Sequence, residues 1–161
     1  MTKKQIQFDI EVYQSVEELT AEDAVLVKKA REITEQAYAP YSNFHVSAVA
    51  MLTNGEMLTG TNQENASYPV GICAERALLS TISSVYPDVS IETIAISYHN
   101  LNGESSRPIS PCGMCRQAIA EYEVRFKKSI RLILSGMSGE IYVIAKASQI
   151  LPLTFTASDM K

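Results

Sequence analysis

Apolar residues along this chain recur at two spacings, near 3.6 and near 2, and the spacing switches where turn residues cluster. Thr20, with Asp23 three residues on, resembles a capping box. Leu26, Ala30, Ile33 and Ala37 then recur at helical spacing until Pro40 stops the pattern, which predicts a first helix. Phe44, Val46, Ala48, Ala50 and Leu52 alternate with a second face, Asn54-Gly55 is a strong hairpin signal, and residues 57–61 return as a second strand. The sheet is therefore expected to begin with an antiparallel pair. After a loop over 62–71, Ala74, Ala77, Leu78, Leu79 and Ile82 predict a mostly buried helix over 73–85, ended before Pro87. Residues 93–98 alternate and are β-branched, and 115–126 are helical in pattern. Residues 130–134 and 141–145 read as strands around a turn at 136–139. Helices packed on both faces of a mixed β-sheet follow, an α/β fold. Residues 1–19 carry no strong periodicity and read as an N-terminal arm or short strand. The runs Glu121-Tyr122-Glu123 and Lys127-Lys128 read as solvated helix surface.

Composition narrows the class. The 161 residues, 46% hydrophobic and 20% charged, suit one globular domain over 1–161 with its own core. A net charge of −4 gives no general attraction for phosphate backbones or anionic lipid, so neither a nucleic acid nor a membrane is the expected partner. No apolar stretch approaches the length that crosses a bilayer. Three cysteines, two of them separated by only two residues, do not make a disulfide framework, and the expected setting is reduced and cytoplasmic.

Those cysteines fall in two motifs, Cys73-Ala74-Glu75 and Pro111-Cys112-Gly113-Met114-Cys115. Three thiolates can hold a tetrahedral zinc ion and leave a fourth position for water, with an adjacent glutamate free to move protons. The pattern of ligand, one residue, glutamate, then Pro-Cys-x-x-Cys is the zinc deaminase signature in its three-cysteine form. Cys112 and Cys115, at i and i+3 on an opening helical turn, share a face. Cys73 and Glu75, at i and i+2, can both face one ion only if Cys73 stands at the very end of its helix. Both motifs then begin helices, whose free N–H groups and dipole favour thiolates. Three thiolates overcompensate Zn²⁺ and blunt its acidifying effect on water, so a donor to the sulfurs is expected; Arg76 is the first candidate and Gln117 a weaker one. Glu75 is the expected general acid and base.

Beyond these motifs, the chain resembles the cytidine deaminase family from about Tyr38 to Phe155. The resemblance rests on Ala39-Pro40-Tyr41-Ser42-Asn43-Phe44, Asn62-Gln63-Glu64-Asn65-Ala66-Ser67-Tyr68, the two cysteine motifs extended through Arg76 and through Arg116-Gln117, and Leu151-Pro152-Leu153-Thr154-Phe155. It implies a three-layer α/β/α sandwich and a homotetramer with one zinc per subunit, converting cytidine and deoxycytidine to uridine and deoxyuridine with release of ammonia in pyrimidine salvage. By position it implies that Cys73, Cys112 and Cys115 bind zinc, that Phe44 packs on the nucleoside, and that Asn62 and Glu64 hydrogen-bond ribose hydroxyls. The backbone at Ala74 would help hold the base, and Tyr68 and Phe155 would complete a neighbouring subunit's site. Ser47 departs from the family's common glycine and Ala77 from its frequent threonine.

Without the resemblance, Asn62 and Glu64 read as turn and solvent-facing residues, Phe44 as core and Phe155 as a tail anchor. His45 and His99 read as packed or surface histidines rather than ligands. A structural zinc knot would need a fourth protein ligand. Three other functions compete: a deaminase of a cytosine-nucleoside antibiotic of the blasticidin S type; a nucleic-acid-editing deaminase, against which the acidic charge and the absence of tryptophan argue; and a non-catalytic zinc-binding module, against which the unligated Glu75 argues.

Overall fold

The computed structural model describes residues 1–161. Its elements run β1 (Glu11–Tyr13), α1 (Ala21–Ile33), β2 (Phe44–Leu52), β3 (Met57–Thr61), α2 (Ala74–Val85), β4 (Ile91–Asn100), α3 (Gly113–Phe126), β5 (Arg131–Leu134) and β6 (Ile141–Ile144). Thr20 caps α1, its side-chain oxygen accepting from the Asp23 N–H. The box is not completed. The Asp23 carboxylate is taken instead by the Arg131 guanidinium through two bonds of 2.7 and 2.6 Å. The helix tightens into a 3₁₀ turn over Thr34–Gln36, so Ala37 lies past the helix that its spacing had suggested. The hairpin forms at the expected place, with Gly55 in the left-handed region (φ +86°) and its N–H bonded to Leu52 C=O at 3.0 Å.

The six strands lie in the order β1-β6-β5-β4-β2-β3. Only β4 and β5 run parallel, joined through α3; the other neighbours are antiparallel. Alternate strand residues feed two cores. Ala48, Ala50, Ile94, Ile96 and Leu132 pack with Leu78, Ile82 and Ile119 of α2 and α3. Val49, Ala95, Ile133 and Val143 pack with Leu26, Val27 and Ala30 of α1 on the other face. This is the three-layer α/β/α sandwich with a mixed sheet. Covering both faces explains why Ser47 and Val49, on the face opposite Ala48, are fully buried as well. Ser47 meets the polar demand of that burial by donating its hydroxyl to the Ala30 carbonyl of α1.

The arm proves to be part of the sheet. β1 pairs with β6, Val16 is buried under α1, and Phe8 packs against the larger core. A second correction concerns the run at 121–123. Glu123 is buried, and its carboxylate accepts from the N–H groups of Ile130 (2.8 Å), Ala147 (3.1 Å) and Ser148 (3.2 Å), while Tyr122 donates to Leu79 C=O at 2.6 Å. Only Glu121 of the three is solvated. Replacing Glu123 with alanine strands three amides around the start of β5 and the segment after β6. The expected cost is about 2–4 kcal/mol in urea unfolding. A loss below about 0.5 kcal/mol would show that water satisfies those amides equally well.

Candidate active site

Both cysteine motifs sit where a helix begins. Cys73 caps α2 and Cys112 caps α3, each with extended backbone just before the first helical residue. Cys115 lies one turn into α3 and is buried. The Cys73 and Cys112 sulfurs are 3.7 Å apart, those of Cys112 and Cys115 are 3.3 Å apart, and all three lie within 4.8 Å of one another. A tetrahedral ion with thiolate bonds of about 2.3 Å separates its sulfurs by about 3.7–3.8 Å, so the trio fits a metal of the zinc class. Cys73 occupies the helix end that its spacing from Glu75 demands.

The sulfurs are not equivalent. The Cys73 pKa is lowered to about 6, chiefly by its pairing with the Cys115 thiol, with Cys112 and the Arg76 charge adding to the effect. Cys115 is pushed up by the same pairing and by burial. Glu75, one residue into α2 and 4% exposed, is raised by burial.

Glu75, Cys73 and Cys112 form one end of a cleft of about 580 Å³. Its walls bring together Phe44, Asn62, Glu64, Tyr68 and Ala74, all singled out in the sequence. Phe44 stacks on Tyr98, with ring centroids 4.9 Å apart. Asn62 mimics a strand residue: its Oδ1 accepts from Val46 N–H at 2.7 Å and its Nδ2 donates to Phe44 C=O at 2.9 Å. One amide proton and one lone pair of Asn62 are left for a ligand. Glu64 accepts from the N–H groups of Tyr41 (2.9 Å) and Ser42 (3.3 Å) through Oε2, and its carboxyl is held below the usual range by the Ser42 hydroxyl first and by these amides after it. Tyr68 is 76% exposed at the rim and meets Tyr41 edge-on.

Three expected residues lie elsewhere. Arg76 makes no hydrogen bond to a sulfur; it acts on Cys73 through charge and borders a groove between α2 and α3. Gln117 donates to the Phe155 carbonyl at 2.9 Å, so these two candidates hold each other and neither reaches the cleft within the chain. Phe155 keeps its ring largely exposed. The cleft also uses Tyr41, Ser42, Ile109 and Ser110, to which the sequence reading gave no role. Tyr41 and Ser42 stood inside a quoted motif, whereas Ile109 and Ser110 carry no spacing signal and are recruited because they precede Pro111.

Residues 20–130 match the family profile described as the cytidine and deoxycytidylate deaminase zinc-binding region. Over 136 residues the chain is 37% identical to a cytidine deaminase of Halalkalibacterium halodurans, covering 84% of this chain and 96% of that protein. The chain belongs to the cytidine deaminase family. Its fold agrees: a crystal structure of cytidine deaminase from Burkholderia pseudomallei superposes with a TM-score of 0.71 at 34% identity, over 85% of this chain and all of that one. A blasticidin-S deaminase of Bacillus cereus is 30% identical over 142 residues, 86% of this chain and 95% of that protein. As a member of the family, the chain is an enzyme acting on C–N bonds. No helix is long and apolar enough to cross a membrane.

Proposed function

We propose that this enzyme hydrolyses cytidine and deoxycytidine to uridine and deoxyuridine with release of ammonia, as one domain over 1–161. The observation that carries this reading is one cleft in which a buried carboxylate, Glu75, and the cysteine trio face a wall of Phe44, Asn62 and Glu64. Cys73, Cys112 and Cys115 would hold one zinc ion per subunit, which when bound supplies an acidified water as nucleophile. Glu75 receives a proton as water adds to the ring carbon bearing the amino group, passes it to the ring nitrogen, and carries a second to the departing ammonia. Burial raises its pKa, the direction that favours a carboxyl able to take a proton as well as give one. The Ala74 backbone borders the base, Phe44 packs on the nucleoside, and Asn62 and Glu64 offer free acceptor and donor capacity to ribose hydroxyls. Arg76 offsets thiolate charge from a distance, and Gln117 anchors the C-terminal segment.

The exposed rings of Tyr68 and Phe155 support a homotetramer in which each completes a neighbour's site, since both are left largely uncovered in the single chain. A cytoplasmic place in pyrimidine salvage follows from the reaction and from the reduced thiols it requires.

The cleft lining holds Glu64 and Glu75 but no Lys, Arg or His. A nucleoside 5′-phosphate would bring a dianion there with no counter-charge. Purified chain is therefore expected to release uridine and ammonia from cytidine, with kcat/KM for deoxycytidine 5′-phosphate at least about 100-fold below that for deoxycytidine. Equal turnover of the nucleotide would remove the nucleoside preference. Turnover of blasticidin S with none of cytidine would favour the antibiotic deaminase, the second reading that the Bacillus cereus relative supports.

A further inference from the structure

The turn that forms the cleft rim is held from outside the cleft. Asn43 is a non-glycine residue in the left-handed region (φ +54°), a conformation that asparagine tolerates but that persists only where neighbours over-determine it. Two sets of contacts do so. On the cleft side, the Glu64 carboxylate takes the N–H groups of Tyr41 and Ser42. On the far side, the loop after β4 reaches back. The Asn102 side-chain amide donates to Ser42 C=O at 3.1 Å and accepts from the Asn43 side-chain amide at 3.3 Å, and the Leu101 N–H donates to Asn43 C=O at 2.9 Å. Asn102 is itself steadied by its N–H on the Asn100 side chain at 3.0 Å.

Ser42 is thus gripped at both ends of one residue, by Glu64 through its N–H and by Asn102 through its carbonyl. Glu64 receives both turn amides on Oε2, so the direction of Oε1 depends on where the turn stands. Asn102 does not line the cleft. We infer that Asn102 is a positioning residue for ribose recognition, setting the Glu64 carboxylate and the Ser42 rim by clamping the turn at residues 41–43. The inference rests on the nucleoside deaminase reading above and adds to it a residue that lies outside every cleft-lining motif.

The contact that matters is the donor to Ser42 C=O, which separates two variants from general loosening. Asn102→Ala removes both side-chain bonds to the turn. Asn102→Asp is isosteric and keeps the acceptor for Asn43, but sets an oxygen against the Ser42 carbonyl. The loop is exposed, so both variants are expected to fold, which circular dichroism and melting would verify.

Steady-state kinetics on the full chain, with cytidine and with 2′,3′-dideoxycytidine, reads the role. Both variants are expected to raise KM for cytidine about tenfold with kcat within about twofold, the signature of lost binding common to ground and transition states. With dideoxycytidine, which lacks both ring hydroxyls, the same substitutions are expected to change KM less than about twofold. A KM for cytidine equal to the parent's would overturn the inference, and so would an equal penalty on the two substrates or a fall in kcat alone. If the parent itself leaves cytidine unchanged, the deaminase reading falls and this inference with it, so the two failures are told apart by the parent's own rate.

Discussion

Glu75→Gln is expected to keep the parent's metal content while kcat for cytidine falls by roughly 10²–10⁴-fold. Glutamine fills nearly the same volume in a place only 4% exposed, so α2 should start where it does now and Cys73 should still meet Cys112 and Cys115. What glutamine cannot do is bind and release a proton, and the proposed reaction asks that of this one side chain twice. Burial raises the glutamate's pKa, against smaller lowering contributions from its own backbone N–H and the Cys115 thiol, which moves the carboxyl toward accepting a proton. Metal analysis by atomic emission beside initial rates of uridine formation separates the roles. A metal-loaded variant at near-parental rate would end the assignment of Glu75. A variant that loses its metal would instead place Glu75 among the groups that hold the trio in register.

Gly60→Ala should be the most disruptive single change of backbone packing near the site. A Cβ built there stands 2.5 Å from Leu78 N and 2.6 Å from Ala74 O. Both are backbone atoms of α2, so no rotamer change relieves the clash, and β3 and α2 must separate. Overpacking of this kind costs about 1–3 kcal/mol, which for a chain of this size lowers Tm by roughly 3–10 °C. The separation also has a functional reading, because β3 leads directly to Asn62 and Glu64 while the start of α2 carries Cys73 and Glu75. Wedging them apart widens the cleft, and KM for cytidine should rise together with the loss of Tm. Gly113→Ala, where the added carbon meets nothing within 4 Å, is the matching stability control and should leave Tm within about 2 °C. Equal melting of the two variants would show that β3 and α2 have room to adjust.

Local periodicity made most elements legible. The strands at Phe44–Leu52 and Met57–Thr61 lie where alternation and the Asn54-Gly55 signal put them, and the helix at Ala74–Val85 begins one residue after the cysteine predicted to stand at its end. The helix carrying Cys115 extends two residues further back, because Cys112 with its extended backbone serves as the cap and Gly113 as the first helical residue. Misreadings occurred where a polar residue had a distant partner. Glu123 looks like solvated surface among its neighbours, and only the amides of Ile130, Ala147 and Ser148 make it a buried anchor. Gln117 next to a ligand motif suggested the sulfurs, yet its amide reaches Phe155. The arm has too few apolar positions to show a period, and β1 exists because β6 offers it an unpaired edge.

By itself, the sequence determined the local elements, the two cysteine motifs with the carboxylate beside one of them, and the chemistry such motifs can perform, because each motif is encoded by residues within a turn or two of one another. The tertiary structure decided everything that depends on pairing across distance. The strand order and the crossover through α3 bring Cys73 and Cys112, 39 residues apart, to 3.7 Å. The approach of Gly60 to α2 closes the cleft wall, and Asn102 clasps Ser42 across 60 positions. No local pattern reports such contacts, since they arise from burying both faces of one sheet at once, and that constraint belongs to the whole chain.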